Sequence, residues 1–98
     1  MSKIIMVENN RYELIKNYRE AFNEKEFQER CTEYFYDYDY IVGDIAYSKL
    51  RLKGFYDAKN KKVKKVNNYN DLENYLKTYC AADCKYFILK KVGISNEV

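Results

Sequence analysis

Lys49-Leu50-Arg51-Leu52-Lys53-Gly54-Phe55-Tyr56 is the stretch that decides the fold, because its polar and apolar residues alternate with a period of two. Successive side chains of a strand point to opposite faces. The period therefore sets Lys49, Arg51, Lys53 and Phe55 on one face and Leu50, Leu52 and Tyr56 on the other. Upstream, Tyr38-Asp39-Tyr40-Ile41-Val42-Gly43-Asp44-Ile45 is aromatic and β-branched and reads as a second strand. A short loop around Ala46 and Tyr47 joins the two. Downstream, Asp57-Ala58-Lys59-Asn60 is a turn, and residues 61–66 (Lys-Lys-Val-Lys-Lys-Val) are read as a lysine-rich edge strand. Lysines on an edge discourage unwanted pairing.

Helix signals flank this block. Asn23 with Glu26 three residues on forms a capping box, and Phe22 with Phe27 a hydrophobic staple. Phe27, Cys31, Tyr34 and Phe35 follow at helical spacing, which predicts a helix over 24–36. Asn70 with Glu73 repeats the box ahead of Leu72, Tyr75, Leu76, Tyr79 and Cys80, predicting a second helix over 71–80. The chain opens with Ile4–Val7, a turn at Glu8-Asn9-Asn10-Arg11, and a second short strand at Tyr12–Ile15. After a turn at Ala81-Ala82-Asp83, Tyr86-Phe87-Ile88-Leu89 reads as a strand buried on both faces and therefore central. The order ββα-ββ(β)-αβ implies an α+β fold, a mostly antiparallel sheet of five or six strands packed by two helices.

The 98 residues fit one domain, 1–98, with no linker or repeat. Twelve Tyr and five Phe with no Trp suggest a core close to the surface, rings inside and hydroxyls at its edge. No apolar run reaches the roughly 20 residues of a membrane span. Three cysteines, Cys31, Cys80 and Cys84, with no signal-like start, fit the reducing cytosol better than a secreted disulfide framework. Charge is unevenly placed. Residues 1–44 carry six Lys/Arg and ten Asp/Glu, residues 45–98 twelve and five, and eight of those cations fall within 49–65.

The chain resembles the YutD-like family, small proteins of Gram-positive bacteria grouped under a domain of unknown function. Tyr38–Asp44, Leu50-Arg51-Leu52-Lys53-Gly54-Phe55, and Cys80 and Cys84 followed by Tyr86–Lys91 carry the resemblance. Arg11-Tyr12-Glu13-Leu14 and Tyr18–Asn23 extend it over nearly the whole chain. It departs from the pattern after Gly43-Asp44, where members place an aromatic and a Gly-rich loop and this chain has Ile45, Ala46 and Ser48. The resemblance implies a compact sandwich of sheet and helices, and carries over no activity, cofactor or site residue.

Chemistry-bearing constellations are few. There is no His, so no ordinary Ser-His or Cys-His pairing. Three isolated glycines make no phosphate-binding loop. Asp39 and Asp44, five apart, fall on opposite faces of a regular strand and do not converge. Cys80 and Cys84 are too few for a monomeric metal site and read as buried thiols, with a redox pair as the alternative. No metal or cofactor is expected, and no enzyme. The tyrosines at 34, 36, 38 and 40 read as a packed aromatic hinge, with a stacking platform as the alternative.

Lys49, Arg51 and Lys53 recur every 6.8 Å or so, twice the strand rise, close to the phosphate spacing of a nucleic-acid strand. Tyr47 and Phe55 flank them as stacking candidates. Lys61, Lys62, Lys64 and Lys65 extend the set. The expected function is a binding or regulatory module whose basic strand engages a polyanion, RNA favoured. The alternative is a protein-interaction adaptor, or a homodimer in which the acidic helix (Glu24, Glu26, Glu29, Glu33) of one copy meets the basic strand of another. Equally, alternating Lys and Arg can be no more than the solvated face of an antiparallel strand.

Overall fold

The computed structural model describes residues 3–46, 48–79 and 84–94. Within them, five strands form one antiparallel sheet in the order β1-β2-β5-β3-β4. The strands are β1 (Lys3–Val7), β2 (Asn10–Tyr18), β3 (Tyr40–Ala46), β4 (Lys49–Phe55) and β5 (Tyr86–Ile94). The α+β class and the central position of β5 are as the sequence predicts. Phe87 and Leu89 enter the core on one face of β5 and Ile88 on the other, which is why that run is continuously apolar.

Both cores are aromatic. On one face, α1 (Glu24–Arg30) and α2 (Glu33–Tyr36) lay Phe27 at the centre. Its ring stands edge-on to Tyr12 (6.3 Å, 86°) and to Phe87 (6.1 Å, 89°), and Phe22 closes the staple at 5.7 Å. The Phe87 ring lies on Gly43, where an added Cβ would sit 2.2 Å from Cζ, so glycine there is a packing requirement. On the other face, α3 (Leu72–Tyr79) packs Leu72 and Tyr75 over Val42, Phe55 and Ile88, and Tyr40 stacks on Tyr69 at 3.6 Å.

Four details differ from the sequence reading. The helix expected over 24–36 is two. Asn23 caps it as predicted, its Oδ1 accepting from Glu26 N–H at 3.0 Å, but among the described residues only this half of the expected capping box forms. After Arg30, however, Cys31 turns extended (φ −84°, ψ 110°) and stays buried. The break lets Phe35 and Tyr36 reach the core, whereas a straight helix would have kept Tyr34 in the stripe. Tyr34 instead is 68% exposed. The second helix is capped from a turn of 3-10 helix at Tyr69–Asp71, with Asn68 rather than Asn70 as its side-chain acceptor. Residues 61–66 form no strand, since turns pass there into a 3-10 turn at Lys65–Asn67. Lastly, the first hairpin turns on Glu8 (φ 56°) and not on the Asn pair, as Asn10 already opens β2 with Nδ2 donating to Val7 C=O. A positive φ at the first of two turn residues suits a type II′ hairpin. The predicted turn at 81–83, and Cys80, lie outside the described residues.

Candidate binding interface

The basic strand is β4, an edge of the sheet with β3 as its neighbour. A two-residue hairpin loop pairs Ala46 with Lys49, and the register then sets Asp44 directly opposite Arg51. Arg51 grips that carboxylate with two parallel bonds, Nε to Oδ1 at 2.9 Å and Nη2 to Oδ2 at 2.8 Å. Asp44 is 2% exposed, so this is a charge taken out of water and compensated by one fork-shaped partner. Lys53 lies over the Phe55 ring (5.2 Å to Nζ) and beside Tyr75 (5.7 Å). Lys49 is exposed. Two of the three strand cations thus also hold the fold together. Phe55, a stacking candidate by sequence, is 1% exposed under Tyr75, so a nucleobase has no room to reach its ring. Tyr47, the other, lies outside the described residues.

The loop after β4 is a built structure. Asp57 Oδ1 accepts from Lys59 N–H (2.9 Å) and Asn60 Oδ1 from Lys62 N–H (2.8 Å). Asp39 anchors it from outside, accepting from Asp57 N–H at 2.7 Å and Asn60 Nδ2 at 3.0 Å. Lys62 pairs with Asp37 at 2.7 Å, while Lys59, Lys61, Lys64 and Lys65 stand exposed. Asp39 and Asp44, considered as a carboxylate pair, serve two separate structural tasks. Among the described residues no group of three or more His, Cys, Asp and Glu could hold a metal ion, and no helix is long and apolar enough to cross a membrane.

Asp37 also receives the Tyr56 hydroxyl at 2.8 Å, and with Lys62 these bonds hold its carboxyl below the usual range. Tyr56 leans on Tyr38 (4.6 Å between rings), whose hydroxyl meets that of Tyr34 at 3.2 Å. Tyr38 lies across Gly54, where a Cβ would come within 2.2 Å. The hinge expected at residues 34–40 is therefore a cluster of Tyr34, Tyr38 and Tyr56, with Tyr40 on the opposite face. The Tyr34 bond and burial push Tyr38 up to about 12, and burial and the Asp37 bond push Tyr56 up to about 12. Burial raises Tyr12 as well, and its hydroxyl has no hydrogen-bond partner among the described residues. A phenol whose folded pKa is raised stabilises the fold fully below its unfolded value near 10. That stability goes as pH rises through the folded value. Unfolding free energy is thus expected to hold until roughly pH 10 and to fall between there and 12, tracked by urea titrations alongside tyrosinate absorbance.

Two clefts flank β4, one on each side of the sheet. The first, of about 560 Å³, lies between α1 and the strand and is lined by Glu29, Arg30, Phe35, Leu50, Arg51 and Leu52. The second, of about 290 Å³, lies towards α3 and is lined by Lys53, Phe55, Val66, Asp71, Asn74, Tyr75 and Thr78. The sequence pattern marks the cations but not the Asp44–Arg51 pair or the clefts. The pair was readable only from a fixed hairpin register, and the clefts depend on how α1 and α3 dock. Cys31 is buried, with its thiol pushed up to about 11 by burial, whereas Cys84, expected as a buried thiol, is half-buried ahead of β5 and disulfide-bonded.

The sequence profile of the family described as "Putative antitoxin YutD-like" matches residues 6–90. A protein of Bacillus subtilis (strain 168) described as "Putative antitoxin YutD" is 40% identical over 89 residues, spanning 91% of this chain and 98% of its own. The solution NMR structure of yutD from B. subtilis matches with a TM-score of 0.80 and 38% identity, over 97% of this chain and 86% of that one.

Proposed function

The chain belongs to the YutD-like family, and from that premise we propose that it is a non-enzymatic module of the antitoxin type, which holds a partner protein by the basic side of its sheet. The observation that carries this reading is the pinning of its cations. Asp44 and Asp37 fix Arg51 and Lys62, and Asp39 anchors the loop that carries the neighbouring exposed lysines, beside clefts on both sides of β4. Cations fixed before binding lose less entropy on meeting an acidic surface. Complementary charge also speeds encounter and rejects wrong partners.

A second reading, RNA binding, is favoured by the four exposed lysines at 59, 61, 64 and 65 on one ordered loop. It would rest on phosphate contacts and not on stacking, and affinity would fall steeply with salt. A tagged chain used as bait in lysate, with and without nuclease, separates the two. Protein capture that survives nuclease and weakens in a Lys61→Glu/Lys64→Glu/Lys65→Glu variant supports the antitoxin-type reading. Capture abolished by nuclease replaces it with RNA binding, and capture indifferent to the triple variant overturns the basic face in either form.

A further inference from the structure

We propose that the outer edge of β4 is a strand-docking site that takes an extended segment of a partner protein in which acidic and apolar residues alternate. This rests on the protein-binding reading above and says how the partner is held. The first observation is the open edge. Tyr56, just past β4, turns its backbone away from β3: its N–H donates to Asn67 C=O at 2.7 Å and its C=O accepts from Tyr69 N–H at 2.9 Å. The chain itself thus adds a short parallel bridge at Tyr56–Asn68 and then leaves. Alternate residues of a strand turn their amides the same way, so Leu50, Leu52 and Gly54 present their N–H and C=O groups along the same outer edge. Among the described residues none of those six groups has an outer partner.

The second observation is the pair of clefts. An added strand sends alternate side chains to opposite faces. On one face they would meet a cleft in which Glu29 and Arg30 accompany Phe35, Leu50 and Leu52, and the two leucines, which belong to β4 itself, suit apolar residues. On the other they would meet Lys49, Arg51 and Lys53 along the strand itself, which suits Asp or Glu, although of these only Lys53 lines the second cleft and Asp71 lines it too. Main-chain bonds would supply affinity, and the leucines and cations that alternate along β4 specificity, the usual division of labour when a peptide extends a sheet.

Charge also selects among occupants. A second copy pairing by its own β4 would set Lys and Arg against Lys and Arg, and like charges directly opposite one another destabilise a ladder. The same cations that keep β4 from pairing with itself recommend it to an acidic strand.

The test uses an acetylated octapeptide alternating Glu and Val, titrated into the full chain while amide exchange is followed by NMR. Exchange at Leu50, Leu52 and Gly54 is expected to slow at least ten-fold at saturation. Two counterparts N-methylated at every second residue, one in each register, separate a ladder from a mere charge contact: one should bind as the parent does and the other not at all. Lys49→Glu should weaken binding by about three-fold. A Lys–Val peptide should be inert. If the Glu–Val peptide leaves the three amides unchanged, if both methylated forms bind as well as the parent, or if oligouridylate protects those amides better, the proposal is wrong. Its failure is separable from that of the antitoxin-type reading. A captured protein partner that leaves Leu50, Leu52 and Gly54 exchanging as before refutes strand docking alone.

Discussion

Arg51→Ala is expected to cost about 3 kcal/mol of folding stability, near the lower end of what breaking a buried ion pair does. The cost comes from what is left behind. Asp44 is buried, with both oxygens turned to the guanidinium, and alanine leaves that charge without its fork. The arginine itself is half exposed, so water entering the vacated volume recovers part of the loss, which places the estimate at the low end. Removing both charges at once, in Asp44→Val/Arg51→Leu, is expected to come within about 1 kcal/mol of the parent, because two apolar residues need no compensation. Urea denaturation of the two single variants and the double variant, read as a cycle, checks both numbers. A reversal at position 51 is consequently a poor probe of ligand binding, since lost binding and lost fold would look alike. The exposed lysines at 49, 61, 64 and 65 are the cleaner positions.

Phe27→Ala is expected to cost about 3–5 kcal/mol, the range for a large aromatic truncated in a packed core. Phe27 is the ring on which Tyr12, Phe22 and Phe87 converge, and it is the buried residue of a helix only seven residues long. So short a helix has no independent stability, so the loss should also release α1 from the sheet. Against a total of about 5–15 kcal/mol for a domain, that loss takes from about a fifth to all of the stability, so the urea midpoint should fall sharply. Near-UV circular dichroism should collapse while much of the far-UV strand signal remains. Phe27→Leu, which keeps most of the volume, should lose less than half as much, and if it loses as much as alanine, the cavity account is wrong.

What could be read from the sequence was whatever depends on neighbours a few residues away. The period-two alternation of β4, the Asn23 cap and the doubly apolar run of β5 are local patterns, and each stands where it was expected. The misses share one cause. Residues 61–66 are rich in Lys and Val and look like an edge strand, but Asn60, Asp39 and Asp37 bind the segment into turns from outside it. The helix after Asn23 breaks because Cys31 and Phe35 must both reach a core shaped by the sheet. The basic stripe shows in the sequence as charge. That one of its members answers a buried carboxylate and another a ring depends on register and on the docking of α3.

The position of β5 has a consequence for how the chain is made. β1–β2 and β3–β4 are local hairpins that lie on either side of it in the sheet, and β5 follows both in the chain. During synthesis each hairpin can close as it leaves the ribosome, but no strand joins them until residues 86–94 have emerged. Until then, Tyr12, Phe27 and Ile41 lack the Phe87 and Leu89 that cover them. Pairings so distant in sequence are slow to form, and an unfinished sheet is an aggregation hazard. A nascent chain stalled before residue 86 should be a ready substrate for proteases and chaperones, and abundance of the finished protein should respond more to changes in β5 than in any other strand.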